Sequence, residues 1–232
     1  MSKKILYHGS NMIIESPKFG QGNPHNDYGL GFYCTENIEL AREWACLDKD
    51  GGFTNIYDID TDKLEILNLS ATNYSILNWL AILVDNRTFR IENHIANQAR
   101  EYLLNNFLLD ISNYDAIIGY RADDSYFAFA MDFLNNSISL RQLEKAMYLG
   151  NLGEQFVLKS KKSFDLIEFI GNETADGETY YIKRRARDNE AREAYLKGER
   201  KSNLTGNDLF IIDILREEIK SDDARIRRKI SE

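Results

Sequence analysis

The chain has 232 residues, 43% of them hydrophobic and 12% aromatic, enough apolar surface for a buried core and too much for a wholly disordered polymer. Its net charge of −8 and pI of about 5.1 give no long-range attraction to nucleic acid or to an anionic membrane, so such a partner would need a local basic patch. Cys34 and Cys46 are the only cysteines and form no CxxC or Cys/His cluster, which leaves no readable disulfide framework or metal site. The apolar run near the start is too short for a secretory signal, and no stretch approaches the roughly 20 apolar residues that span a bilayer. The expected setting is the reduced cytoplasm, with no membrane partner.

Ile5 to His8 predict a short strand with Leu6 and His8 on one face and Ile5 and Tyr7 on the other. Residues 15 to 29 hold both prolines and three glycines and predict a loop. "LGFYCT" predicts a second strand with Gly31, Tyr33 and Thr35 on one face, and Thr35 is placed to cap the helix "ENIELAREWACLD". "TNIYDID" and "LEILNL" alternate as strands. Residues 73 to 110 turn helical in two pieces around "DNRTF". "YDAIIGY" is a buried-type strand that ends in the acidic corner "RADDSYF". Ser139 and Gln142 make a capping box, and "EQFVLKS" and "DLIEFI" predict two more strands. From residue 178 the chain is highly charged and helical, ending in the amphipathic "DLFIIDILREEIKSDDARIRRK", whose Phe210, Ile211, Ile214, Leu215 and Ile219 form an apolar stripe. The fold class is α+β: a domain over 1–177 and a helical C-terminal appendage over 178–232 that packs on the core or on a partner.

Several residues in this frame can carry chemistry. His8, followed by Gly9 and Ser10, offers a ring donor beside backbone that a ligand can approach closely. Tyr33 sits on the face of glycines that leave room for a planar ring. Asp123 and Asp124 stand at the end of a buried strand, where one carboxylate can act as a base toward an acceptor, or where Asp124 or Ser125 can cap the next helix. Arg121 beside them can bind a phosphate. The run around Lys183 to Arg187 is best read as a solvated helix laced by i,i+4 pairs, and Cys34 as a small core residue.

"YHGS", then "DYGLGFYCT" and a helix with "AREWA", resemble the first half of the ADP-ribosyltransferase fold in its histidine–tyrosine–glutamate class. With "IIGYRADDSYF", "NLGEQFVLKS" and "DILREEI", nearly the whole chain resembles an uncharacterised bacterial family of that clan, often associated with toxin–antitoxin-like gene pairs. The resemblance implies a split β-sheet core with flanking helices and NAD as substrate. It implies His8 at the ribose or nicotinamide amide, Gly9 supplying backbone contacts and Tyr33 stacked on nicotinamide. ADP-ribose would pass to an unknown protein or nucleic-acid acceptor, with an antitoxin as an implied partner. A late-strand glutamate normally steadies the oxocarbenium-like transition state. Here Glu154 and Gln155 are adjacent, so only one faces the site. Gln155 shares a face with Val157, and Glu154 shares the more apolar face with Phe156 and Leu158, which leaves Gln155 as the inward candidate, without a full negative charge. Two other readings stand beside the transferase: an NAD hydrolase, and a non-catalytic NAD or nucleotide sensor.

Overall fold

The structure is a computed structural model that describes residues 3–71, 73–91 and 93–226, the side chain of Glu199 excepted. The chain opens with β1 (Lys3–Ser10), runs without regular structure to the short β2 (Phe32–Cys34), and enters α1 (Ile38–Ala45). Strands β3 (Gly52–Asp60) and β4 (Ile66–Asn68) precede α2 (Ile76–Asn86) and α3 (His94–Asn106). Then come β5 (Ala116–Tyr120), α4 (Asp124–Leu134), α5 (Leu140–Ala146), β6 (Glu154–Leu158), α6 (Lys161–Leu166) and β7 (Ile167–Ala175). The long α7 (Gly177–Lys197) and short α8 (Ile211–Arg216) follow. The architecture is α+β.

Two sheets form. One is antiparallel, in the order β1-β3-β7; the other runs β2-β6-β5-β4, with β4 and β5 parallel. They are stitched at one point, where Tyr7 and Thr35 exchange backbone hydrogen bonds of 2.8 and 2.9 Å. Beyond that bridge β1 and β2 part. Both faces of the second sheet are covered, which is why "QFVL" in β6 is apolar almost without alternation. Leu6, Cys34, Phe156 and Leu158 fill the space on one face, while Ile117 and Val157 belong to the main core built by α2 to α5.

Residues after 177 bury Ala191, Tyr195, Ile211, Ile214 and Ile219 in that same main core. The apolar stripe therefore packs within the chain, and Ile219 offers its carbonyl to the Tyr102 hydroxyl at 3.1 Å. Its helix is shorter than the periodicity predicts. It spans only Ile211–Arg216, because Glu218 turns into the left-handed region (φ 50°) and stops propagation. Residues 227–229 of the stretch lie outside the described residues.

Two helix caps also differ from expectation. Thr35 is held in the β1–β2 bridge, and Asn37 caps α1, its Oδ1 accepting from Glu39 N at 3.0 Å and Leu40 N at 3.4 Å. At α4 the N-cap is Asp123 rather than Asp124 or Ser125, and its side chain makes no capping hydrogen bond. Strand β7 starts at Ile167, since Asp165 and Leu166 of "DLIEFI" close α6, and it reaches past that segment to Ala175, because pairing with β3 carries the polar "GNETA" and a bulge near Gly171 absorbs the register shift.

Gly9 shows how tightly α1 lies on β1: a Cβ there would sit 2.0 Å from the Ala41 carbonyl oxygen and 2.5 Å from Ala45 N. Backbone atoms cannot yield as side chains do, so Gly9→Ala should cost about 3 kcal/mol of stability or more in chemical denaturation. A loss below about 1 kcal/mol would contradict this packing.

Candidate functional site

His8 follows the bridge directly, its ring stacked on Phe32 with centroids 4.4 Å apart. Its Nδ1 lies 2.7 Å from the Tyr33 carbonyl oxygen. A carbonyl only accepts, so Nδ1 carries the proton and Nε2 is left with a lone pair. Burial pushes the His8 ring below its ordinary value and the Arg121 charge adds to this, against the opposing bond to Tyr33. His8 is thus a neutral ring that accepts at Nε2.

Tyr33 faces away from His8. Its ring packs on the main core, and its hydroxyl donates to the Gly29 carbonyl at 2.5 Å and accepts from Tyr28 N at 3.1 Å. Burial raises its pKa far above the ordinary phenol value. Gly31 lets β2 close on β6, since a Cβ would meet the Leu158 carbonyl at 2.8 Å. Ser10 caps a turn, its hydroxyl accepting from Met12 N at 3.2 Å.

The adjacent pair on β6 separates sharply. Gln155 is 3% exposed, and its Nε2 donates to Asp27 Oδ2 at 2.9 Å and to the Tyr120 carbonyl at 3.1 Å. Both of its amide protons are thereby used. Asp27 is itself buried and also accepts from Ala122 N at 2.8 Å and from Arg87 at 2.7 Å. Glu154 is exposed and bonded to the Ser70 hydroxyl. It lines a cleft of about 460 Å³ with Thr35, Glu36, Asn37, Leu40 and Asn151, and Gln155 borders the same cleft. Of the residues singled out in the sequence, this cleft gathers Thr35, Glu154 and Gln155. The cleft's lining contains two carboxylates and no basic side chain.

Asp123 and Asp124 line a second cleft of about 390 Å³. Asp123 is engaged by Arg121 and by Arg187 at 3.7 Å. Arg121 also lays its guanidinium over the Trp44 indole, 3.8 Å from the ring centroid. Trp44 Nε1 is buried with no hydrogen-bond partner among the described residues. Helix α1 and its exit connect the clefts, with Leu40 lining the first and Leu47, two residues past the helix, lining the second.

The sequence pattern places Trp44 at helical spacing with Ile38, Ala41 and Ala45, and it does not single out Asp27, Arg87 or Glu43. The apolar periodicity of α1 explains the first. Nothing local marks Asp27, whose partners lie 60 or more residues away.

Residues 4–169 match the model of a family described as a protein of unknown function, DUF3990, and the chain belongs to that family. No curated protein and no solved structure matches it.

Gln155→Glu would set a second carboxylate against Asp27. It should destabilise the fold by about 3–5 kcal/mol in chemical denaturation, and a neutral effect would refute the network. The lowered pKa of His8 makes the unfolded ring bind its proton first as pH falls. Stability from His8 is therefore complete above about 6.5 and is lost below it. Thermal scans between pH 7.5 and 5.5 should show a falling Tm that flattens in His8→Gln, and equal slopes would contradict the neutral ring.

Proposed function

We propose that the protein is an NAD-dependent ADP-ribosyltransferase-like enzyme that moves ADP-ribose from NAD to a macromolecular acceptor and releases nicotinamide. The observation that best supports this reading is that β6 exposes the Glu154 carboxylate in the cleft beside Thr35, while Gln155 at the border is buried against Asp27. The site then has the carboxylate this chemistry requires.

The reaction breaks the bond between ribose C1′ and the nicotinamide ring nitrogen. The bonding pair leaves with nicotinamide, which becomes neutral, and positive charge develops on the ribose. A carboxylate beside that sugar stabilises the transition state more than the ground state, which is the condition for raising the rate. The acceptor then bonds to C1′ and gives up its proton. In this reading Glu154 faces the ribose, with the Ser70 hydroxyl orienting its carboxylate. His8 presents Nε2 as an acceptor to a ribose hydroxyl or the nicotinamide amide. Gln155 holds the strand and takes no part in the chemistry.

A second reading, NAD binding without turnover, is favoured by Tyr33, whose ring and hydroxyl are both committed to the fold. Nicotinamide release from NAD, with and without cell lysate as a source of acceptor, separates the readings. Release should fall by about a hundredfold or more in Glu154→Gln with the fold intact. Release independent of lysate would mean that water is the acceptor. Release undiminished by Glu154→Gln, or absent from the wild-type protein, would rule out the transferase mechanism described.

A further inference from the structure

The second cleft is built differently from the first. Four arginines line it, Arg87, Arg184, Arg185 and Arg187, together with Asp123 and Asp124 at the start of α4. The charges do not cancel evenly. Arg87 is committed to the buried Asp27, and Arg187 to Glu43 at 2.7 Å and to Asp123. Asp188, also on the wall, is held by Arg192 and the Ser125 hydroxyl. Arg184 and Arg185 hold no ion pair among the described residues, Arg185 resting on the Tyr181 ring. Against their two charges stands Asp124 alone.

Two further observations suit an anion. The Nη2 of Arg187 is buried and makes no hydrogen bond among the described residues, its ion pair with Asp123 being a long one at 3.7 Å that leaves its protons open to a closer acceptor. The N-terminus of α4 opens on the same cleft, and its N-cap Asp123 turns its side chain to Arg121 instead of capping. First-turn N–H groups without a side-chain cap, the positive end of an 11-residue helix and forked guanidiniums are the donor set that phosphate oxygens take.

We propose that this cleft is a phosphate-binding subsite, supplied by α7 and closed on one side by α4. Arg184, Arg185 and Arg187 lie beyond the segment that matches the family, so the subsite belongs to the chain's own C-terminal part. Its ligand is a phosphoryl group, either the diphosphate of a dinucleotide or a phosphate from another source. The subsite stands apart from the transferase reading, and only its assignment to the diphosphate of NAD rests on that reading.

The probe is inorganic pyrophosphate, titrated calorimetrically into the full chain at low salt, with ADP and NAD as competitors. The wild-type protein binds it, and the double variant Arg184→Ala/Arg185→Ala weakens binding by about tenfold or more at unchanged Tm. Lysine at both positions restores part of the affinity. Asp124→Asn, which removes the opposing charge, tightens binding by about two- to fivefold, an effect no structural role would give. Displacement by ADP and NAD identifies the dinucleotide diphosphate as the ligand, and binding that NAD does not displace identifies another phosphoryl source. No binding of pyrophosphate, or equal binding by the double variant, overturns the subsite. Nicotinamide release is read separately. Release with an unchanged KM for NAD in the double variant overturns the diphosphate assignment and spares the transferase. Pyrophosphate binding without any release removes the transferase and spares the subsite.

Discussion

A buried carboxylate in an irregular loop organises this protein. Asp27 is out of water, and a lone carboxylate there would cost several kcal/mol. Three elements answer it: Gln155 from β6, the Ala122 amide at the β5–α4 corner, and Arg87 past the end of α2. Each bond is charge-assisted and shielded from solvent, so together they fix the loop, the strand and the corner in one geometry. The Tyr120 carbonyl repeats the device on a smaller scale by accepting from Tyr28, Trp79 and Gln155.

That constraint decides which of two neighbouring side chains is buried and which lines the cleft. Because Gln155 is drawn inward by Asp27, strand alternation turns Glu154 out toward the cleft. The same alternation on β2 sends Tyr33 into the core and leaves its carbonyl for His8. The result is a division of charge along α1. An acidic cleft opens near Asn37, a neutral histidine lies across the bridge, and an arginine-lined cleft opens beyond Trp44.

Much of the fold was legible. The strands β1, β3, β5 and β6, both helices between residues 73 and 110, and the capping box at Ser139 follow from periodicity and capping chemistry, which act over a few residues. Cap positions and the length of α8 were less so, since a bridge to Tyr7 removed Thr35 and a left-handed Glu218 ended the last helix. The site was half legible. "YHGS" and "GFYCT" do meet at the junction of the two sheets, and of the β6 pair Gln155 is the buried member while Glu154 lines the cleft. Both faces of that strand are buried, so apolarity could not tell them apart. The partner that distinguishes them, Asp27, is 128 residues away from Gln155. The arginine cleft was hidden for the same reason: a run read as a solvated helix faces a corner more than 60 residues earlier in the chain.

The most direct measurement is a double-mutant cycle between Asp27 and Gln155, using Asp27→Asn and Gln155→Ala and read by chemical denaturation. If Gln155 belongs to the fold and frees Glu154 for the cleft, the two substitutions should couple by about 1–3 kcal/mol. Glu154→Ala should remain within about 0.5 kcal/mol of the wild-type protein. Additive effects of the Asp27 and Gln155 substitutions, with Glu154→Ala as destabilising as Gln155→Ala, would contradict the account.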